Sequence, residues 1–188
     1  MKNIIIGGAS RSGKSTIAKA VAKKLNISYI PFDSIVSTIG DCFPGHSVRH
    51  CDDTLSNSKE VATCFKVFLS HLNYEGMPYI IDTYQIKPED LLQAIDPKDY
   101  TVVYIGYPTI TLEDKIKAVR VGARPEDWTE ALSDQELAPI IDGFIQDSIV
   151  LYDQCHAHGI PFVDTTEDFE GSMAYCMEYL CQGVSHHA

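Results

Sequence analysis

Positive charge is scarce in this chain of 188 residues. Fifteen lysines and arginines face 26 acidic residues, for a formal net charge of −11, and only Arg11, Arg49, Arg120 and Arg124 carry a guanidinium. That balance argues against DNA or RNA as the main partner, because a nucleic-acid surface has to meet the phosphates with clustered cations. Long apolar runs are missing too; none approaches the roughly 20 residues of a membrane span. One lysine before a short apolar run that breaks at Gly7 and Gly8 does not make a signal peptide. The six cysteines (Cys42, Cys51, Cys64, Cys155, Cys176 and Cys181) form no C-x-x-C pair. Most lie in apolar surroundings, as buried thiols in a reducing compartment do. A cytoplasmic protein is expected. The seven histidines show no metal-ligand spacing; His156 and His158, two apart on a helix, do not face one another.

What is present is a soluble composition, 45% apolar and 22% charged, at a length that suits one domain over residues 1–188. Its most informative stretch is Asn3–Thr16, NIIIGGASRSGKST. Asn3 to Gly7 reads as a strand and the residues from Lys14 onward as a helix. Between them Gly8, Ala9, Ser10, Arg11, Ser12, Gly13, Lys14 and Ser15 spell G-x-x-x-x-G-K-[ST], and Thr16 follows. Glycines at both ends allow backbone conformations that a Cβ forbids, so successive N–H groups can turn inward around a phosphate. Lys14 brings a compact charge to the outer phosphates, Ser15 a hydroxyl for magnesium, and the helix start its own partial positive charge. The plainer alternative is a glycine-rich turn ahead of an ordinary helix. Lys2, Arg11, Lys14, Lys19, Lys23 and Lys24 all fall within the first 24 residues, which hold no acidic residue. A basic island on an acidic chain suits a phosphate site.

Further along, Ile27–Phe32 reads as a second strand ending at Asp33, Tyr79–Ile81 as a third ending at Asp82, Tyr100–Ile105 as a fourth and Ile160–Val163 as a fifth. Ser34 to Asn57 has little periodicity and reads as a long functional loop. Helices are expected over Asn57–Leu72 with an Asn57/Glu60 capping box, over Pro88–Ile95 and over Leu112–Arg120. A longer helix opens at a Ser133/Glu136 box, bends near Pro139 and runs to about His158. A last helix stops at Gly183. Strands and helices alternate five times, which implies an α/β fold with a parallel sheet and helices on both faces. Ligands of such sheets bind beyond the carboxyl ends of the strands, so Asp33, Asp82, Gly106 and Asp164 should share one rim with the glycine-rich loop.

Phosphoryl transfer asks a protein to hold phosphates, bind magnesium, orient an acceptor and neutralise charge. Asp33 is placed to accept or fix the proton of an acceptor hydroxyl; the alternative is an N-cap for a short helix over Ile35–Ile39. Asp82 stands where a carboxylate could hold magnesium, or it is a turn residue before Pro88. Asp164-Thr165-Thr166 reads as a plain turn or as a loop touching the base. Arg120 and Arg124 flank Gly122 and are either cations of a mobile lid or ordinary surface arginines. Arg49, beside His46 and His50, is a weaker candidate for an anionic acceptor.

On the motif GASRSGKST, the segments IPFDS and IIDTYQIKP, the arginine-bearing stretch and IPFVDTT, the chain resembles the small P-loop kinases of the adenylate-kinase-like group. That group includes nucleotide kinases, shikimate kinase, uridine kinase and chloramphenicol phosphotransferase. The resemblance implies the three-layer P-loop NTPase fold with a five-stranded parallel sheet in the order 2-3-1-4-5. It implies ATP with Mg2+ as donor, Asp33 near the acceptor, a substrate-binding insertion at about 34–76 and a lid at about 111–132 bearing Arg120 and Arg124. The scarcity of arginine disfavours an acceptor with its own phosphate, and points to a hydroxyl on a small metabolite or nucleoside. The competing function is a nucleotide-gated module with slow or no hydrolysis. A GTPase is disfavoured, since no N-K-x-D segment follows the fourth strand.

Overall fold

The computed structural model describes residues 2–50, 55–125 and 127–182; Cys51 and the expected helix stop at Gly183 lie outside them. Five strands, β1 (Asn3–Gly8), β2 (Ser28–Pro31), β3 (Tyr79–Asp82), β4 (Tyr100–Gly106) and β5 (Phe162–Asp164), form one parallel sheet in the order β2-β3-β1-β4-β5. The helices are α1 (Lys14–Leu25), α2 (Phe32–Cys42), α3 (Ser58–Glu75), α4 (Pro88–Ala94), α5 (Leu112–Gly122), α6 (Asp134–His158) and α7 (Phe169–Gln182). A 3-10 turn at Trp128–Ala131 separates α5 from α6. The fold class and strand order are those the sequence and its resemblance imply.

Both faces of β1 and β4 are apolar because both are covered. Ile4, Ile6, Val103 and Ile105 pack with Ile17 and Val21 of α1 and Met173, Cys176 and Leu180 of α7. Ile5, Val102 and Tyr104 face the other way, into a larger core built by α2 to α6. Three consecutive isoleucines, all fully buried, thus feed two layers, each worth about 1.5–3 kcal/mol relative to exposure.

Three local expectations are corrected. Asp33 does not end a strand: β2 stops at Pro31, and Phe32 and Asp33 already belong to the first turn of α2. For the same reason Ser34–Asn57 is not loop throughout. Helix α2 runs to Cys42 although Ile35, Val36, Thr38 and Gly40 are weak helix formers. Burial overrides that weakness, because Phe32 and Val36, one turn apart, are fully buried, with the Phe32 ring edge-on to Phe65 at 4.7 Å. The Asn57/Glu60 capping box does not form. The Asn57 amide instead donates to the carbonyls of Ser47 and Arg49, both at 2.8 Å, fastening the preceding loop to the start of α3. The Ser133/Glu136 box does form, worth about 1 kcal/mol to α6, and Pro139 lies within that helix.

Candidate functional site

At the end of β1 the backbone turns through three positive φ angles, 136° at Gly8, 58° at Arg11 and 92° at Gly13. A Cβ on Gly8 would lie 2.0 Å from the Ile105 carbonyl oxygen, so the loop can pass β4 only with glycine there. Alternation of this kind curls main-chain amides into an anion-binding nest. Gly13 is the N-cap of α1 without a side-chain cap, which leaves the helix start open to an anion. Ala9 is tied to β4 through its N–H on the Ile105 carbonyl at 3.1 Å. The Ser12 hydroxyl is buried without a partner among the described residues, as a group waiting for a polar ligand would be.

The register Ile6↔Asp82 and Pro31↔Asp82 brings the ends of β2 and β3 level, with β1 running two residues further. There the Ser15 hydroxyl donates to Asp82 at 2.5 Å, and the Tyr29 hydroxyl to both Asp82 oxygens at 3.1 and 3.2 Å. Burial, with the nearby carboxylates, pushes the Tyr29 phenol up to about 12, so it stays a donor. One hydroxyl and one carboxylate suit magnesium, which keeps waters and phosphate oxygens in its shell. No cluster of three or more His, Cys, Asp or Glu able to hold a metal occurs among the described residues.

Lys14 is buried, and its ammonium donates to the Ala9 carbonyl at 2.7 Å. Burial lowers its pKa, while the charges of Asp33 and Asp82 oppose the shift. Asp33 accepts from the Tyr84 amide at 3.1 Å. Burial raises the pKa of its carboxyl, Lys14 and His50 pull the other way, and Asp82 adds to the rise. One buried ammonium is thus acted on by two carboxylates, Asp33 and Asp82.

Arg120 and Arg124 part company. Arg120 donates to Asp134 at 2.7 and 3.0 Å and to the carbonyls of Thr129 and Leu132 at 2.5 and 2.7 Å; it ties α5 to the turn and to α6. Arg124 is exposed just beyond α5. Asp164 accepts from the Thr166 amide at 2.9 Å, which closes a turn. His50 meets Ser37 of α2 at 2.9 Å, His46 accepts from the Val48 amide, and the Arg49 carbonyl accepts from Gln85 at 3.0 Å.

Sequence reasoning passed over a second group around the loop. The Arg11 guanidinium grips Asp127 with two bonds of 2.5 and 2.8 Å and lies 5.5 Å from the Trp128 ring centroid. The Tyr107 hydroxyl donates to the Ser10 carbonyl, and the Lys115 ammonium to the Arg11 carbonyl at 2.8 Å. A signal existed for Lys115: it shares the buried face of α5 with Val119, one turn on.

The strand order and the glycine-rich loop at the end of β1 give a fold shared with small P-loop kinases. Among solved structures, the chain is similar to a shikimate kinase from Bacteroides thetaiotaomicron at 17% identity and a TM-score of 0.59, over 95% of this chain and 98% of that one. It is similar to a gluconokinase from Sinorhizobium meliloti at 13% identity and 0.59, over 96% and 92%. A sugar kinase from Janibacter sp. matches at 13% and 0.58, over 100% and 99%. No protein-family model matches the chain, and no curated protein matches it in sequence.

Proposed function

We propose that the protein is a phosphotransferase that moves the γ-phosphate of magnesium-ATP to a hydroxyl of a small metabolite or nucleoside. The observation that carries this is the convergence of Lys14, Ser15, Asp82 and Asp33 at the mouth of the glycine-rich loop. The nest from Gly8 to Thr16 would take the phosphates, with Lys14 on the outer ones. Ser15 and Asp82 would hold Mg2+, which on binding supplies charge neutralisation to the phosphates. Asp33, whose raised pKa favours accepting a proton, would take or direct the proton of the acceptor hydroxyl. The kinases named above support the reaction class. The small number of arginines, four in the whole chain, supports an acceptor without its own phosphate. The segment 111–132 would act as the lid, with exposed Arg124 rather than engaged Arg120 as the cation that moves.

The test is ADP release from magnesium-ATP by purified protein across a panel of sugars, polyols, shikimate-like acids and nucleosides. One class is expected to stimulate turnover, and Asp33→Asn to lower that turnover by at least about 100-fold while nucleotide binding persists. Nucleotide binding with no stimulation by any acceptor would favour the nucleotide-gated module instead.

A further inference from the structure

The outer wall of the glycine-rich loop carries a charge with no part in the steps above. Lys115 is 5% exposed. Its ammonium donates to the Arg11 carbonyl and lies 3.3 Å from the centroid of the Tyr107 ring, whose hydroxyl holds the neighbouring Ser10 carbonyl. Two successive carbonyls are thereby drawn outward, and drawing carbonyls out turns the intervening amides in. The pull also steadies Arg11 in a left-handed conformation that costs roughly 1–2 kcal/mol for a residue with a Cβ.

The surroundings of Lys115 are unusual in sign. Burial first, and then the charges of Lys14 and Arg11, both cations, bring its ammonium down to about 7. The acids of its own helix, Glu113 and Asp114, pair with Lys117. Asp127 is taken by Arg11, Asp33 and Asp82 act on Lys14, and Asp147 of α6 acts on the Tyr107 phenol. Two of the three cations at this loop thus have carboxylates acting on them, and a polyanion is the ligand that would relieve Lys115.

We propose that Lys115 is a positioning residue of the loop that takes up a proton when a nucleoside triphosphate binds, making nucleotide affinity fall as pH rises above neutrality. The proposal rests on the nucleotide binding put forward above. A neutral amine still donates a hydrogen bond to the Arg11 carbonyl, so the strut survives deprotonation and only its charge is lost. In the free protein that charge is present below about pH 7. Bound phosphates favour it at higher pH, so binding above pH 7 recruits up to one proton and weakens about tenfold per pH unit until the bound form titrates as well.

Titration calorimetry with magnesium-ATP and no acceptor, at pH 6 and pH 8 in buffers of different ionisation enthalpy, tests this. The wild-type protein is expected to take up almost no proton at pH 6 and close to one at pH 8, with affinity about tenfold lower at pH 8. Lys115→Arg, charged throughout, should abolish both the uptake and the pH dependence. Lys115→Met should also abolish the uptake but bind weakly at both pH values. If Lys115→Met does not fold, Lys115→Arg carries the test alone. Uptake at pH 8 that persists in Lys115→Arg would assign the proton to another group, such as Asp33 or His50, and overturn the proposal. Wild-type binding without uptake at pH 8 would overturn it as well. Absence of binding at either pH would remove the nucleotide site itself, and this inference with it.

Discussion

Arg11 and Arg120 each hold an aspartate, but one pair spans 116 positions of the chain and the other only fourteen. The long-range pair, Arg11 with Asp127, joins the glycine-rich loop to the turn at Trp128 and so bears on how the loop is shaped. The short-range pair, Arg120 with Asp134, joins neighbouring elements and is completed by two backbone carbonyls, so it bears on how α5 and α6 stay together. The same residue type braces the glycine-rich loop in one case and ties neighbouring helices in the other. What decides is the partner's position, not the charge.

Substitutions can break that contrast, and Lys14 sets its upper limit. Lys14→Ala removes a charge aimed into the loop, and turnover with ATP should fall by more than about 100-fold with the far-ultraviolet spectrum of the folded chain retained. Residual turnover within tenfold of wild type would remove Lys14 from the phosphate site.

Asp127→Asn comes next. It keeps the shape of the tether and removes its charge, and the KM for ATP should rise on the order of tenfold, the equivalent of about 1.4 kcal/mol. Its acid behaviour offers a second check. Arg11 beside Asp127 holds that carboxyl below the usual carboxylate range, so the pair stabilises the fold above a pH of roughly 4. That contribution is lost as pH falls through the depressed folded value. The difference in Tm between wild type and variant should therefore be present at pH 7 and shrink below about pH 3. A difference that stays constant with pH would deny the pair any charge character.

Arg124→Ala should lower kcat several-fold at unchanged Tm, since the side chain is exposed and its proposed work is confined to the closed lid. A Tm shift with unaltered kcat would make it another scaffold arginine. Arg120→Ala should leave the activity of the folded protein within about twofold. It should cost about 1–3 kcal/mol, because the Thr129 and Leu132 carbonyls lose a charged donor, or roughly 2–4 °C of Tm per kcal/mol. A rise in the KM for ATP without loss of stability would instead place Arg120 among the phosphate-binding groups and erase the contrast with Arg11.

The sheet and the loop were legible because their signals are local. NIIIGG and YTVVYIG can hardly be anything but buried strands, and Ser133 with Glu136 encodes its own cap within four residues. The errors came where burial outweighed local preference. Helix α2 forms from poor helix formers because Phe32 and Val36 find a core among residues of α3. Asn57 forgoes its cap because the carbonyls of Ser47 and Arg49 fold back within reach. At the site, Lys14, Ser15 and Asp82 could be named from their places beside a glycine pattern or at a strand end. Tyr29, Tyr107, Asp127 and Trp128 could not, since nothing in their own neighbourhoods distinguishes them from surface or core residues.

By itself, then, the sequence determined the parallel α/β sheet and the turn of backbone at the end of β1, because periodicity and glycine placement act over a few residues. The folded chain alone decided which arginine faces the loop and which ties helices together. It also decided that a lysine far along the chain would lie buried within electrostatic reach of two other cations. The contacts at the loop join residues about a hundred positions apart and the helix tie residues fourteen apart, and in both cases side-chain reach and burial, not local propensity, fix the energy.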